Sequence, residues 1–211
     1  MRRSLLLSAA VLFVAFSAGA CASVNTSADD GNDMQFGTYL SAHVAAGQHD
    51  LVTAAKLYQS SLADDPGNTN IANRAFLYTA ASGDVDGAID LAGKVIKNDS
   101  DDRAARLALA IGAMKKRDYS RARSQLSQSG KGPFTTLTLL LVDGWAAQGA
   151  GDTDTALKEM DALAGAGGTP QLILYHKALM LDLAGRDTEA DAAYKSVLQQ
   201  NANGPRVVEA Y

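Results

Sequence analysis

Few side chains in this sequence are of the types that catalyse reactions, and they are scattered along the chain. The histidines are His43, His49 and His176, and Cys21 is the only cysteine. His43 and His49 lie close enough along the chain to suggest a pair of metal ligands, although such histidines are more often solvated or hydrogen-bonded. The sequence contains no Gly-rich phosphate loop, paired-histidine metal motif or nucleophile elbow. We therefore expect no enzymatic activity, no metal site and no cofactor.

Pairs of aspartates recur in two similar stretches, GDVDGAIDLA (83–92) and GDTDTALKEM (151–160). Carboxylates at alternate positions occur in calcium-binding loops, but neither stretch continues into the spaced ligands and terminal glutamate of an EF-hand. The preceding glycine suits the left-handed end of one helix, and the aspartates suit the start of the next. We interpret both stretches as turns between paired helices. Their separation of 68 residues, twice 34, indicates an internal repeat.

Charged residues also form a cationic stretch that could have a function. The stretch KKRDYSRAR (115–123) holds five cations and one acid. It is either a docking patch for an acidic partner or lipid phosphates, or a solvated turn whose cations stabilise the preceding helix.

Asp143 lies within the apolar stretch TTLTLLLVDGWAA (135–147), which we expect to be the most deeply buried helix. An unpaired buried carboxylate is costly, so we expect a partner for Asp143, with Arg106 and Arg121 as candidates.

The bulk composition favours closely packed helices. Hydrophobic residues make up 47% of the 211 residues and aromatic residues only 6%. A core built mostly from Ala, Leu and Val suits helices better than a β-sandwich, which is enriched in aromatic and β-branched residues. The formal net charge of −4 gives no global attraction to nucleic acid, so we expect no nucleic-acid partner.

Small and large apolar residues recur with a period of 34 residues. An alanine stands at each repeat: Ala54, Ala88, Ala122, Ala156 and Ala190. One helical turn later comes a row of mostly larger apolar residues: Tyr58, Ala92, Leu126, Met160 and Tyr194. The prolines fall near the expected repeat boundaries: Pro66, Pro133, Pro170 and Pro205. At the remaining boundary, NDSDD (98–102) supplies helix-capping residues.

A 34-residue helix–turn–helix unit with this pattern resembles the tetratricopeptide repeat. The resemblance covers about residues 36–211 and implies an all-α fold, a right-handed α-solenoid of helix hairpins with five repeats plus an incomplete sixth at 205–211. Phe76 stands where the family has a small residue, so we expect the second hairpin to be splayed or repacked. Arg117 replaces the glycine of the third turn. The layout also resembles the N-terminal part of longer alphaproteobacterial tetratricopeptide proteins.

The N-terminus is typical of an export signal. Arg2 and Arg3 precede an apolar run of 12 residues (5–16), which is too short to span a bilayer. The run ends at SAGAC (17–21), which fits lipidation of Cys21, as in bacterial lipoproteins, or signal cleavage after Ala20 with plain secretion. A signal that stays uncleaved as an anchor is the third alternative. We predict a signal peptide over 1–20, a flexible tether over 21–33 and a solenoid over 34–211. The expected location is the bacterial envelope, with a lipid anchor in the outer membrane facing the periplasm.

In the tetratricopeptide family, ligands usually lie along the concave face formed by the first helix of each hairpin. The resemblance places ten residues on that face, which we call the first-helix row: Phe36, Tyr39, His43, Asn73, Leu77, Leu107, Ile111, Trp145, Tyr175 and Leu179. The Lys and Asn pairs with which some relatives clamp a peptide carboxylate are absent. The row is either a hydrophobic groove for a segment of another protein or partly core.

These features predict a non-catalytic scaffold that binds other proteins in the bacterial envelope. Its partners are unidentified, and the expected roles are in envelope assembly or secretion. The alternative is a structural segment of a larger tetratricopeptide protein whose functional part lies beyond residue 211.

Overall fold

The computed structural model describes residues 30–200, which form ten α-helices and one short 3₁₀-helix, with no β-strand in that range. The helices are α1 (Asp30–Gly47), α2 (Leu51–Asp64), α3 (Thr69–Ala81), α4 (Val85–Val95), α5 (Arg103–Lys115), α6 (Tyr119–Ser127), α7 (Pro133–Gly149), α8 (Thr153–Ala162), α9 (Pro170–Leu183) and α10 (Asp187–Gln200), and the 3₁₀-helix is Leu163–Ala166. Each helix packs against the helices before and after it. The predicted all-α fold of five stacked hairpins is confirmed.

The turns within hairpins form as the sequence predicted. Gly83, Gly151 and Gly185 have φ angles of 89°, 83° and 68°, a left-handed conformation that glycine adopts without a steric cost. Arg117 and His49 occupy the equivalent position in two other turns with φ angles of 58° and 60°. These two residues therefore have a backbone conformation that residues with a Cβ rarely adopt.

Aspartates begin the second helix of four hairpins. Each carboxylate accepts a hydrogen bond from the backbone N–H three residues later, which satisfies one of the free donors of the helix. The four residues are Asp50, Asp84, Asp118 and Asp152. Between hairpins, Pro133 and Pro170 stand at the start of α7 and α9, and Asp102 caps α5. The predicted repeat boundaries are therefore confirmed at these positions.

The periodic residues form the core. All five alanines of the repeat are buried, with Ala54, Ala122 and Ala156 fully inaccessible to solvent. Tyr58 and Met160 are also fully buried, one helical turn further along their helices. The buried residues between 42 and 105 form one continuous cluster, whereas those of the later hairpins are divided into three smaller clusters. Phe76, which departs from the family pattern, is buried in the first cluster.

Helix α7 is less buried than the sequence predicted. All residues between 135 and 143 are partly exposed, and only Gly144, Ala146 and Ala147 are buried in the second half of the helix. The reason is a mismatch of lengths, because α7 has 17 residues and the preceding α6 has nine. The first half of α7 therefore lacks a full-length neighbour on one side. The expectation that 135–147 is the most deeply buried helix was wrong.

Helix α1 begins at Asp30, inside the segment 21–33 for which we predicted a tether. The predicted signal peptide, Cys21 and the incomplete sixth repeat lie outside the described residues. Between residues 30 and 200, none of the helices combines the length and apolar character needed to cross a membrane.

Candidate binding surfaces

Five residues of the first-helix row are exposed. Phe36 and His43 lie on α1, Asn73 and Leu77 on α3, and Ile111 on α5. The exposed fractions of Phe36, Leu77 and Ile111 are 61%, 52% and 37%. Large apolar side chains are thus left in solvent on the first helices of three successive hairpins. This part of the row is available for contact with another molecule.

The other five residues of the row are partly buried and pack against the core. Tyr39 contacts the first cluster, Leu107 the cluster of the third hairpin, and Trp145 that of the fourth. Tyr175 and Leu179 contact the cluster of the last hairpin. The row is therefore partly core: its exposed positions lie in the first three hairpins, and its supporting positions lie in the first, third, fourth and fifth hairpins.

His176 orders the aromatic residues of the last two hairpins. The indole Nε1 of Trp145 donates a hydrogen bond to Nδ1 of His176 over 3.2 Å, and the two rings meet edge to face. The ring of Tyr175 lies 5.7 Å from that of His176. Burial lowers the pKa of His176. Because Nδ1 accepts a hydrogen bond, the neutral imidazole carries its proton on Nε2. His176 thus fixes the indole of Trp145 in place.

Asp143 binds Arg123, and the expectation of Arg106 or Arg121 was wrong. Nε and Nη2 of Arg123 donate to the two carboxylate oxygens of Asp143 over 2.8 and 2.9 Å. Nη2 also approaches Glu159 at 3.5 Å. This ion cluster joins α6, α7 and α8. Burial and the charge of Asp143 raise the pKa of Glu159, and the bond to Asp143 raises the pKa of Arg123.

The two arginines that we expected near Asp143 lie elsewhere. Arg106 is buried, where its Nε donates to the carbonyl of Ser100 over 2.7 Å and its Nη1 to Gln125 over 2.6 Å. Arg121 is exposed at the start of α6. Arg123 alone points across to α7, because it stands two positions further along α6 and thus on another face of the helix.

The cationic stretch 115–123 is partly neutralised within the fold. Lys115 pairs with Asp86 of the preceding hairpin, and Arg123 is held by Asp143. Lys116, Arg117 and Arg121 remain exposed. The stretch contains the turn between α5 and α6, as expected for a solvated hairpin tip, and three of its cations are accessible to a partner.

A cleft of about 660 Å³ lies between α6 and α7, which we call the α6–α7 cleft. Leu126, Leu139 and Leu140 line it with apolar surface, and Lys131 stands at its edge. The rest of its wall carries the ion pair of Arg123 and Asp143 and four hydroxyl groups, which belong to Ser124, Ser127, Ser129 and Thr136. We did not predict this cleft from the repeat, because it arises where the short α6 departs from the pattern. The only sequence signal is the glycine-containing segment SGKGP (129–133), which ends α6 early.

Among the described residues, no group of three or more His, Cys, Asp or Glu side chains is arranged to hold a metal ion. His43 and His49 are both exposed. The aspartates considered for calcium, Asp84 and Asp152, accept backbone hydrogen bonds at helix starts instead.

The five hairpins, with small residues where their helices meet and exposed apolar residues on the first helices, define an α-solenoid of helix–turn–helix repeats. No protein-family model matches the sequence, and no curated protein matches it. The likeness is to solved structures. A crystal structure of the MamA protein superposes with a TM-score of 0.64 at 15% identity, over 81% of this chain and 93% of that chain.

A structure of MamA MSR-1 gives a TM-score of 0.62 at 16% identity, over 79% of this chain and 95% of that chain. A tetratricopeptide repeat protein from Parabacteroides merdae ATCC 43184 gives 0.61 at 13% identity, over 81% of this chain and 66% of that chain. At these identities the likeness concerns the fold alone. The fold is that of a tetratricopeptide-repeat solenoid.

Proposed function

We propose that this protein is a non-catalytic scaffold of the bacterial cell envelope that binds other proteins along the first-helix row. The observation that supports this most is the exposure of Phe36, Leu77 and Ile111 on three successive first helices. Large apolar side chains clustered on the surface of a soluble protein often mark interaction sites.

The partner of this row is an extended segment or a helix that presents apolar side chains. Successive hairpins offer one or two exposed positions each, so a partner segment that runs along the solenoid can contact several anchors. The polar His43 and Asn73 lie on the same helices and can fix the orientation of the partner through hydrogen bonds. A few central apolar anchors supply most of the affinity in such interfaces.

Placement in the envelope rests on the N-terminal sequence. The arginines at positions 2 and 3, the apolar run and the motif ending at Cys21 support export followed by acylation of that cysteine. Several acyl chains, each methylene of which contributes about 0.8 kcal/mol on burial, would hold the protein firmly to a membrane. The scaffold would then present its partners to the assembly of outer-membrane proteins, pili or secretion machinery, or to cell-wall enzymes.

The anchor is tested by metabolic labelling with an alkyne fatty acid. We expect the label on the wild-type protein and its loss in Cys21→Ser, because acylation requires the thiol. The far-ultraviolet circular dichroism of the two proteins should be identical, since residue 21 precedes the first described helix. A label that persists in Cys21→Ser would exclude this anchor.

Binding along the first-helix row is tested by photo-crosslinking in cells. A photoreactive amino acid replaces Leu77, and the matched control carries it in place of Leu183. Leu183 is 69% exposed, at the end of α9 and outside the row. We expect a discrete crosslinked protein from position 77 and none from position 183. Adding Ile111→Asp should lower the yield about tenfold, because it places a charge in an apolar contact. Because the side chain is only 37% exposed, we expect a modest fall in the melting temperature that leaves the protein folded under the conditions of the crosslinking.

A crosslinked product of equal strength from positions 77 and 183 would contradict binding along the row. So would a yield at position 77 that Ile111→Asp leaves unchanged.

A further inference from the structure

A second recess lies at the N-terminal end of the first-helix row. It has a volume of about 330 Å³ and lies between α1, the end of α2 and the start of α3. Phe36 and Tyr39 of α1 form its aromatic wall, and Ser61, Asp64 and Asp65 of α2 and its end form its polar wall. We call it the N-terminal pocket.

Ser61 is buried in the wall of this pocket without a hydrogen-bond partner. The residue is only 4% exposed, and its Oγ makes no hydrogen bond with any described residue. Buried hydroxyl groups nearly always have a partner in folded proteins. Since Ser61 lines the pocket but its Oγ is covered, a ligand bound there can supply the missing hydrogen bond once a small shift of the neighbouring side chains uncovers this atom.

The polar wall carries negative charge that the fold leaves largely uncompensated. Asp64 forms no ion pair with any residue between 30 and 200, and Asp65 accepts only an amide hydrogen bond, from Asn68 Nδ2 over 3.0 Å. No lysine or arginine occurs among the described residues that line the pocket. The nearby Arg74 is engaged elsewhere, since its guanidinium lies 5.8 Å from the ring of Tyr58 and 3.5 Å from its hydroxyl. The pocket therefore favours a cation.

The aromatic wall adds a second attraction for the same kind of ligand. The faces of Phe and Tyr rings carry partial negative charge and attract ammonium and guanidinium groups. The ring of Tyr39 is held in place, because it packs edge to face against the buried Tyr58 with centroids 5.8 Å apart. A side chain that enters the pocket thus meets an ordered ring on one side and carboxylates on the other.

We propose that the N-terminal pocket binds a basic side chain, in particular arginine, of the partner segment that lies along the first-helix row. A planar guanidinium has five N–H donors, which is enough for the carboxylates of Asp64 and Asp65 and the hydroxyl of Ser61. Lysine fits less well, because its three donors radiate from a single nitrogen. Phe36 and Tyr39 belong to both the pocket and the row, so the inference deepens the proposed scaffold function and rests on it.

The test uses the purified protein and fluorescent, C-terminally amidated pentapeptides of sequence Leu-Ala-X-Ala-Leu. X is arginine, lysine or citrulline, which has nearly the shape of arginine but no charge. Binding is measured by fluorescence anisotropy. We expect the arginine peptide to bind at least about tenfold more tightly than the citrulline peptide, because charge-assisted hydrogen bonds are lost in the latter. Equal binding of the two peptides would overturn the inference.

Two variants test whether the preference for the arginine peptide over the citrulline peptide arises in this pocket. Ser61→Ala should weaken binding of the arginine peptide about threefold to tenfold while the melting temperature stays the same or rises, because the hydroxyl has no partner in the fold. Asp64→Asn should weaken it about tenfold. The matched control is Asp182→Asn, which removes the same charge at an exposed position of α9 and should leave binding unchanged. A control that weakens binding as much as Asp64→Asn would indicate a general effect of net charge and overturn the inference.

Failure of the pocket inference can be distinguished from failure of the scaffold proposal, because the two are tested by different experiments. If crosslinking from position 77 succeeds but the peptides do not discriminate, the pocket inference fails and the scaffold remains. If the peptides discriminate and crosslinking from position 77 fails, the pocket binds basic side chains but the first-helix row is not the partner surface.

Discussion

Replacing Tyr58 with alanine is expected to lower the free energy of unfolding by about 3–5 kcal/mol. Tyr58 is fully buried at the centre of the first core cluster. Its ring stacks on Tyr78 with centroids 5.1 Å apart and meets Tyr39 edge to face at 5.8 Å. The substitution removes the apolar contacts and both ring pairs and leaves a cavity between the first two hairpins.

Tyr58→Phe is the matched control, because it keeps the ring and removes only the hydroxyl. That hydroxyl accepts one long hydrogen bond, from Arg74 Nη1 over 3.5 Å. We expect a loss of about 1 kcal/mol or less. Urea unfolding followed by circular dichroism measures both variants. If Tyr58→Ala costs no more than Tyr58→Phe, packing of this ring does not hold the first hairpins together.

Arg123→Leu is expected to cost about 2–3 kcal/mol of unfolding free energy. Removing one partner of a buried ion pair costs about 3–5 kcal/mol, because the other charge stays buried and unpaired. Solvent reduces this value here, since 36% of the Arg123 side chain is exposed. The variant leaves Asp143 and Glu159 facing each other without a cation, and their side chains are only 18% and 24% exposed.

Two comparisons separate the ion cluster from general effects of arginine. The double variant Arg123→Leu, Asp143→Leu should recover most of the lost stability, because no carboxylate is left unpaired opposite α6. Arg186→Leu should change the unfolding free energy little, since the ion pairs of Arg186 with Asp154 and Glu189 lie at the surface. Equal losses in Arg123→Leu and Arg186→Leu would contradict a special role for the cluster.

The loss in Arg123→Leu should also depend on pH. The pKa of Glu159 is already raised by burial and by Asp143, and removing the arginine raises it further. A carboxyl group with a raised pKa in the folded state favours folding at low pH, and that contribution is lost as pH rises through the folded pKa. The difference in stability between wild type and Arg123→Leu should therefore be smaller at pH 4 than at pH 7.

The repeat could be predicted from sequence because its signals are local. A positive φ angle at Gly83 and a capping hydrogen bond at Asp84 depend on a few neighbouring residues, and the alanine row depends only on the period of the helices. The partner of Asp143 could not be predicted in the same way. Arg121 and Arg123 are equally charged and two positions apart, so only the rotation of α6 against α7 selects between them.

The candidate sites also combine features that the sequence predicts with features that depend on how the helices pack. The positions of the first-helix row come from the period, but which of them stay exposed depends on how neighbouring hairpins cover them. The N-terminal pocket involves Ser61, and nothing in the sequence distinguishes this serine from Ser60, the other serine of α2. The α6–α7 cleft arises because α6 ends at Ser127. The apolar character of residues 135–147 predicted deep burial, because the sequence did not reveal how short the neighbouring helix is.

The division of the core has a mechanical consequence. In a stack of repeats, bending concentrates at the junction with the fewest buried contacts, as it does at the softest link of a chain. The hairpins up to residue 105 share one core cluster, whereas the buried residues of the later hairpins are divided among three smaller clusters. We therefore expect the section up to residue 105 to bend less than the section that follows it. A partner that contacts several of the later hairpins at once would therefore fix the curvature of the solenoid.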